Sequence, residues 1–447
     1  MTPKVTQNPT IDVAKLPTGF GRLWTAQTVS SHGDGVTHAA LPLLALTLTR
    51  DPMALAVVTA AGTLPWLLFG VLGGALVDRW DRRRTMWVTD AARAVLLAIP
   101  AAAAALDVLS IPLLSAVAFL LALGGLFFDT AATAYLPDLL GRHPAQLERA
   151  NARLRGAQTA ASGFAGPPAG SALLALGRSV PLLADAVSFA LSALLVRSLP
   201  AAPRPAASAR ESLLRQARAG ASYVFKDRLL LGLALRPAVG NIAFLAVETV
   251  LALFASERLG VGAFGFGLLL TAEALGGLLG AGIASFLGRR LGTGTALTCT
   301  ATIEGLAILG LASAPNPYVA GLALAVCGAG MGATMVLAPS LRQAIVPAHL
   351  MGRVASTSRM LAMCAAPFGA FLGGWLATAY DIRTPIYAAG GLLLAMTAVT
   401  ATMTSNRRVE AALHMAASPN GPGRPQSENP LREDAPALQQ PTEVPAC

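Results

Sequence analysis

Six carboxylates interrupt stretches of the chain that otherwise read as hydrocarbon: Asp34, Asp129, Asp185, Glu248, Glu273 and Glu304. A charge held in such surroundings costs at least ~3 kcal/mol unless it is paired or hydrated. Removal of water favours the neutral carboxyl, so groups of this kind can bind and release a proton, and their ionised form attracts a cation. Bases are fewer in the same stretches: Arg93 and Arg236, with His32 and His38 on either side of Asp34. The two histidines are too few and too isolated for a metal site. The cysteines, Cys299, Cys327, Cys364 and Cys447, are scattered and define neither a disulfide framework nor metal spacing. There is no convergent nucleophile–base cluster and no Gly-x-x-x-x-Gly-Lys-Ser/Thr phosphate loop. No catalytic residue, metal or other cofactor is therefore expected.

The elements that carry these acids follow from composition. Hydrophobic residues make up 54% of the 447 positions and charged residues 13%, against about a quarter charged in soluble domains. Apolar runs of the roughly 20 residues needed to cross a bilayer fall into two sets of six, between 20 and 199 and between 229 and 404. The net charge of +10 raises the question of nucleic acid, but the basic residues lie between apolar runs and no aromatic-interleaved patch accompanies them. Their distribution alternates. Only Arg50, Arg178, Arg258 and Arg383 fall in the gaps on one side, while the opposite side collects Arg22, Arg79, Arg82 to Arg84, Arg142, Arg149, Arg289, Arg353 and others. By the positive-inside rule, both termini are expected in the cytoplasm of a cell inner (plasma) membrane protein. Residues 1–19 read as a cytoplasmic segment without a removable leader. The stretch 200–228 reads as a cytoplasmic linker with an interfacial helix, its apolar face formed by Leu213, Leu214, Ala217, Ala221 and Val224. A plain solvated linker is the alternative. The tail 405–447, rich in Pro, Ser, Glu and Gln, is expected to be disordered.

The two halves resemble each other. The block 136–171 aligns with 338–374, pairing Pro137 with Pro339 and Pro167 with Pro367. Duplicated six-helix halves with a mid-membrane site between them are a transporter architecture. The first loop on the basic side reads GALVDRWDRRR, 74–84. Gly74 permits close approach of two helix ends. Asp78 suits a neighbouring helix N-terminus. Arg79, Arg82 and Arg83 suit acids such as Asp90 or Asp138. A cluster of this type can latch one conformation and re-form in another; positive-inside anchoring alone is the plainer reading. Further on, 163–171 reads GFAGPPAGS. There Pro167 removes a helix hydrogen bond, and the small residues allow close packing. Asp34, between Gly33 and Gly35, suggests a weakened helix.

In these motifs the chain resembles the major facilitator superfamily. Gly74, Asp78, Arg79, Arg82 and Arg83 match its loop signature, with Asp81 in place of the second Gly. The pair Asp90-x-x-Arg93, the segment 20–46 and Pro137-Asp138-Leu139 resemble its enterobactin-exporter-like and macrolide-efflux-like branch. Gly166, Pro167 and Gly170 are similar to the superfamily's antiporter signature, with Ser171 replacing its last Gly. The resemblance covers roughly 20–404. It implies an all-α membrane fold of twelve transmembrane helices in two six-helix pseudo-repeats, with the first, fourth, seventh and tenth spans lining a cavity. On that basis Asp34, Asp129 and Glu248 rank first as substrate or proton sites. Glu273 follows, with Arg236 as a partner for an acid, and Asp185 and Glu304 fall on peripheral spans. The implied function is efflux of a small lipophilic or cationic molecule by alternating access, with protons as the coupling ion, by a chain functional as a monomer. Siderophore export by the same fold and a transport-inactive membrane sensor or scaffold are the alternatives.

Overall fold

A computed structural model of the chain describes residues 18–77, 80–141, 143–200 and 221–417, and the regular structure of these residues is helical throughout. The helices are α1 (Thr18–Leu48), α2 (Pro52–Val77), α3 (Arg82–Ala105), α4 (Ile111–Leu140), α5 (Pro144–Gln158), a π-helical turn (Thr159–Ala165), α6 (Gly166–Leu176) and α7 (Val180–Arg197). After the linker come α8 (Arg228–Glu257), α9 (Ala263–Leu291), α10 (Thr293–Ala312), α11 (Pro317–Ile345), α12 (Ala348–Ala379), α13 (Thr384–Met403) and α14 (Asn406–Ala417).

Ten of the described helices, α2–α4, α7 and α8–α13, are long and apolar enough to cross a membrane. The other two rods complete a six-plus-six arrangement. One is α1, whose 31 residues span roughly 45 Å but include Arg22, His32, Asp34 and His38. The other is the rod 144–176, broken into three by its π turn. Local chemistry sets the boundaries. Asp81, Asp227 and Asn316 cap α3, α8 and α11 by accepting from the backbone N–H groups of Arg84, of Leu229 and Leu230, and of Val319. Proline opens α2, α5 and α11, where its missing N–H costs nothing.

The end at which α1 begins also receives the Arg-rich loops and is termed the basic end; the other is the far end. At the basic end each half has its own apolar core. Phe20, Leu23, Met86, Tyr135 and Val196 pack in the first half, and Leu233, Leu297, Leu337 and Val354 in the second. At the far end a single core runs through both halves, from Leu44, Leu55 and Leu114 to Val250, Phe254 and Ile386. The halves are thus joined at the far end and separate at the basic end.

Close helix crossings depend on small residues. Gly276 and Gly280 of α9 face Ala325 and Ala329 of α11, and Gly328 and Gly332 of α11 face Glu273 and Gly277 of α9; a Cβ at any of the four would overlap the opposing backbone. This is a two-way small-x-x-x-small interface.

The expected disorder of 405–447 meets a difference at its start, because 406–417 is helical. The Asn406 amide donates to the Leu291 carbonyl at 2.8 Å and accepts from the Thr295 N–H at 2.9 Å. Val409 is buried in the basic-end core of the second half. These contacts dock the helix where composition alone suggested a free tail; 418–447 lie outside the described residues. Of the expected interfacial helix, 201–220 also lie outside them, and 221–226 are helical with Val224 buried.

Candidate functional site

Separation of the halves at the basic end leaves a two-lobed vestibule. One lobe, of about 640 Å³, is bounded by Asp34 on α1, Asp129 on α4, Arg155 on α5 and Arg359 on α12. The other, of about 620 Å³, lies between α1 and the interrupted rod on one side and α9 and α11 on the other, with Glu248 and Glu273 on its wall. Asp34 and His38 line both lobes. Asp34, Asp129, Glu248 and Glu273 therefore all reach the vestibule. The fifth candidate, Arg236, does not line it. Arg236 turns into the second half and donates to the Thr300 and Thr334 hydroxyls at 3.3 and 3.5 Å, within electrostatic reach of Glu304. Its place just before Pro237 gave no sign of which way it faces.

In the first half, charge is organised around Arg93, which is 5% exposed. Its guanidinium bonds Asp90 at 2.5 Å and approaches Asp34 at 3.6 Å. It lies 3.9 Å from the centre of the Phe189 ring. Asp90 also accepts from Ser192 at 2.5 Å. Asp185, on a span expected to be peripheral, is buried against α1, accepting from Thr37 and, at 3.0 Å, from Ser188; it also lines the first lobe. The glycines flanking Asp34 explain this approach. A Cβ at Gly33 would overlap Asp185 and Ser188 of α7, and one at Gly35 would overlap Ser162 and Gly166. α1 is continuous through Gly33–Gly35, and the glycines mark where it crosses two neighbours.

Across the vestibule, Glu248 on α8 meets His38 on α1, with Nε2 3.0 Å from Oε1. This contact joins the two halves about two thirds of the way along α1 and α8. Glu248, Glu273 and Glu304 also border one small void of about 20 Å³ inside the second half. His38 was not singled out by the sequence as a site residue, although its position four residues beyond Asp34 places both on one face of α1. Arg359 was missed as well; its guanidinium lies 4.8 Å from the centre of the Trp66 ring, α12 against α2.

The loop motif is held within the first half. Arg82 pairs with Asp138 and donates to the Ala134 carbonyl at 3.0 Å, while Arg83 donates to the Leu199 carbonyl at 2.7 Å. The suggested pairing of these arginines with Asp90 is corrected. Asp90 lies eight residues along α3, roughly 12 Å deeper, and is engaged by Arg93. Gly74 lies in α2; Asp78 and Arg79 lie outside the described residues. Asp81, in place of a glycine, caps α3. In the interrupted rod, the π turn Thr159–Ala165 immediately precedes Gly166 and Pro167. The wider turn accommodates the proline ring and the carbonyl it leaves unpaired. Gly166 and Gly170 then pack on Gly35 and Val36 of α1.

Two joined helical lobes around a polar vestibule, in a chain built of membrane-spanning helices, define a multi-pass membrane transporter. The chain belongs to the transmembrane secretion effector family of the major facilitator superfamily, which it matches over residues 16–430. It is 30% identical over 382 residues to the multidrug efflux pump Tap of Mycolicibacterium fortuitum, covering 82% of this chain and 90% of the relative. It is 28% identical over 375 residues to the pump of the same name from Mycobacterium tuberculosis, covering 81% and 88%. Among solved structures, a bacterial homologue of the iron transporter ferroportin in an inward-facing state superposes with a TM-score of 0.71 at 17% identity, covering 87% of this chain and 98% of that one.

Proposed function

We propose that the chain exports small lipophilic or cationic molecules from the cytoplasm by alternating access, with protons as the coupling ion. The carrying observation is the vestibule, open between the halves at the basic end, closed at the far end, and walled by carboxylates from both halves. Similarity to multidrug efflux pumps over most of both chains supports the direction of transport. In this reading the basic end and both termini are cytoplasmic, the bilayer is the inner (plasma) membrane, and one chain suffices. A cationic cargo enters the vestibule and engages Asp34 or Glu248. The halves rock, and protonation of the carboxylate from outside discharges the cargo and resets the cycle. A proton-motive force of about 150 mV supplies roughly 3.5 kcal/mol per proton, enough for a gradient of a few hundred-fold in a neutral substrate exchanged for one proton. The Arg82–Asp138 and Arg83 contacts hold the basic-end loop in this state and rearrange in the other.

A second reading, export of an anionic cargo such as a siderophore, is favoured by Arg155 and Arg359 on one vestibule lobe. The test is expression in an efflux-deficient bacterium with accumulation assays for lipophilic cations, macrolides and siderophores, with and without a protonophore. Reduced accumulation of the cations, abolished by the protonophore, is expected. Export that persists without a proton gradient contradicts the coupling, and selective export of siderophores favours the second reading.

A further inference from the structure

Beyond the His38–Glu248 contact, toward the far end, lies another void of about 280 Å³ between α1, α2, α4 and α8. It adjoins the vestibule: His38, Leu41, Gly62 and Ala118 line both. Its walls come from both halves and are mainly aliphatic, with Ala45, Leu55 and Val58 facing Leu245 and Ala252. The polar side chains along it are Thr59, Thr63 and Thr249 besides His38 and Glu248. The hydroxyls of all three threonines donate to carbonyls of their own helices, those of Leu55, Ala60 and Leu245, at 3.1, 3.0 and 2.7 Å. Their protons are committed, so the walls offer a hydrogen-bond acceptor no donor from these threonines and reward hydrocarbon. The one acidic group is Glu248, at the mouth.

We infer that this void is a distal subsite for the apolar body of the transported molecule, whose cationic head sits at Glu248 in place of His38. The inference rests on the export reading and extends it to a substrate class: amphiphilic cations with an alkyl or aromatic arm reaching past the His38–Glu248 contact. The subsite lies against the far-end seam, between residues that must part when the halves rock. Filling it therefore places the arm on the exit path before the far end opens.

Gly62 provides the test. A Cβ there would meet no heavy atom within 4 Å, so a larger side chain projects into open space where vestibule and void adjoin. Binding of an n-alkyltrimethylammonium series, from ethyl to decyl, is measured by calorimetry on the purified full-length protein, wild type and Gly62→Phe. In the wild type, affinity is expected to rise by about fourfold per methylene until the void is filled. In Gly62→Phe the rise is expected to stop several methylenes earlier. Gly62→Leu is expected to stop it at an intermediate length, and it carries the test if Gly62→Phe does not fold. The same slope and the same end-point in all three proteins overturn the subsite while leaving cation export standing. No binding of any member to the wild type overturns the cation-export reading and the subsite with it.

Discussion

In the first half, Asp34, Asp90 and Asp185 gather near one guanidinium, Arg93, with Thr37, Ser188 and Ser192 donating to two of the three acids. In the second half, Glu248, Glu273 and Glu304 share a small void, and the base in contact with Glu248, His38, comes from the other half. The same fold thus carries two treatments of intramembrane charge. One gathers around a base of its own half and fixes the crossing of α1, α3 and α7. In the other, the base in contact with Glu248 is supplied from the opposite half, and in the proposed reading a cargo or a proton replaces that contact.

The most severe way to break the comparison is to remove the central cation. Arg93→Met leaves Asp90, which is fully buried, without its counter-charge, and is expected to cost about 3–5 kcal/mol of stability. Thermal unfolding in detergent measures it. Adding Asp90→Leu should restore much of the loss, since an apolar pair can replace a buried ion pair; no recovery would mean that Arg93 acts through its aromatic contacts instead. Glu248→Gln sharpens the other side. Transport is expected to fall about ten- to a hundredfold, the worth of a hydrogen bond to a charged group, with the melting temperature nearly unchanged. A large loss of stability there would make Glu248 a structural acid like Asp90.

The smallest expected effect lies at the far end, where Arg258 and the loop residue Asp381 form a half-exposed pair at 2.7 Å. Partial burial works to raise the Asp381 pKa, but the hydrogen bonds and charge of Arg258 outweigh it and hold the carboxyl below its usual range. A depressed carboxyl pKa contributes stability above the unfolded value, near 3.9, and the contribution disappears as pH falls through the folded value. Asp381→Asn is accordingly expected to cost at most ~1 kcal/mol at neutral pH, and the difference from wild type should vanish in acid. The check is unfolding measured across pH.

The membrane architecture was legible because most spans are long apolar runs, and because arginines concentrate in alternate loops, at one end. Even α1, with Arg22 and Asp34 inside it, was readable from its length and from the basic residues at its start. Contacts between helices were harder to read. The sequence offers Asp34 and Glu248 as isolated acids, and only packing of α1 on α8 brings His38 to Glu248. Gly33 and Gly35 suggested a loosened helix because spacing alone does not tell flexibility from close crossing; here Asp185, Ser188 and Gly166 occupy the space. Asp185 was assigned to the periphery because its span is outside the expected cavity lining, yet Thr37 turns that residue toward α1. The glycine pairs at four-residue spacing in α9 and α11 are a signal of close helix crossing that the sequence itself carries.

The central claim is that Glu248 exchanges His38 for cargo or a proton as the halves move. The most direct test reconstitutes the purified protein in liposomes with an internal pH dye and adds a lipophilic cation on the side of the basic end. The account predicts proton movement counter to the cation in the wild type, slowed about ten- to a hundredfold in Glu248→Gln, with His38→Gln still transporting. Cation movement without proton exchange, or a Glu248→Gln protein that exchanges protons as the wild type does, would contradict it.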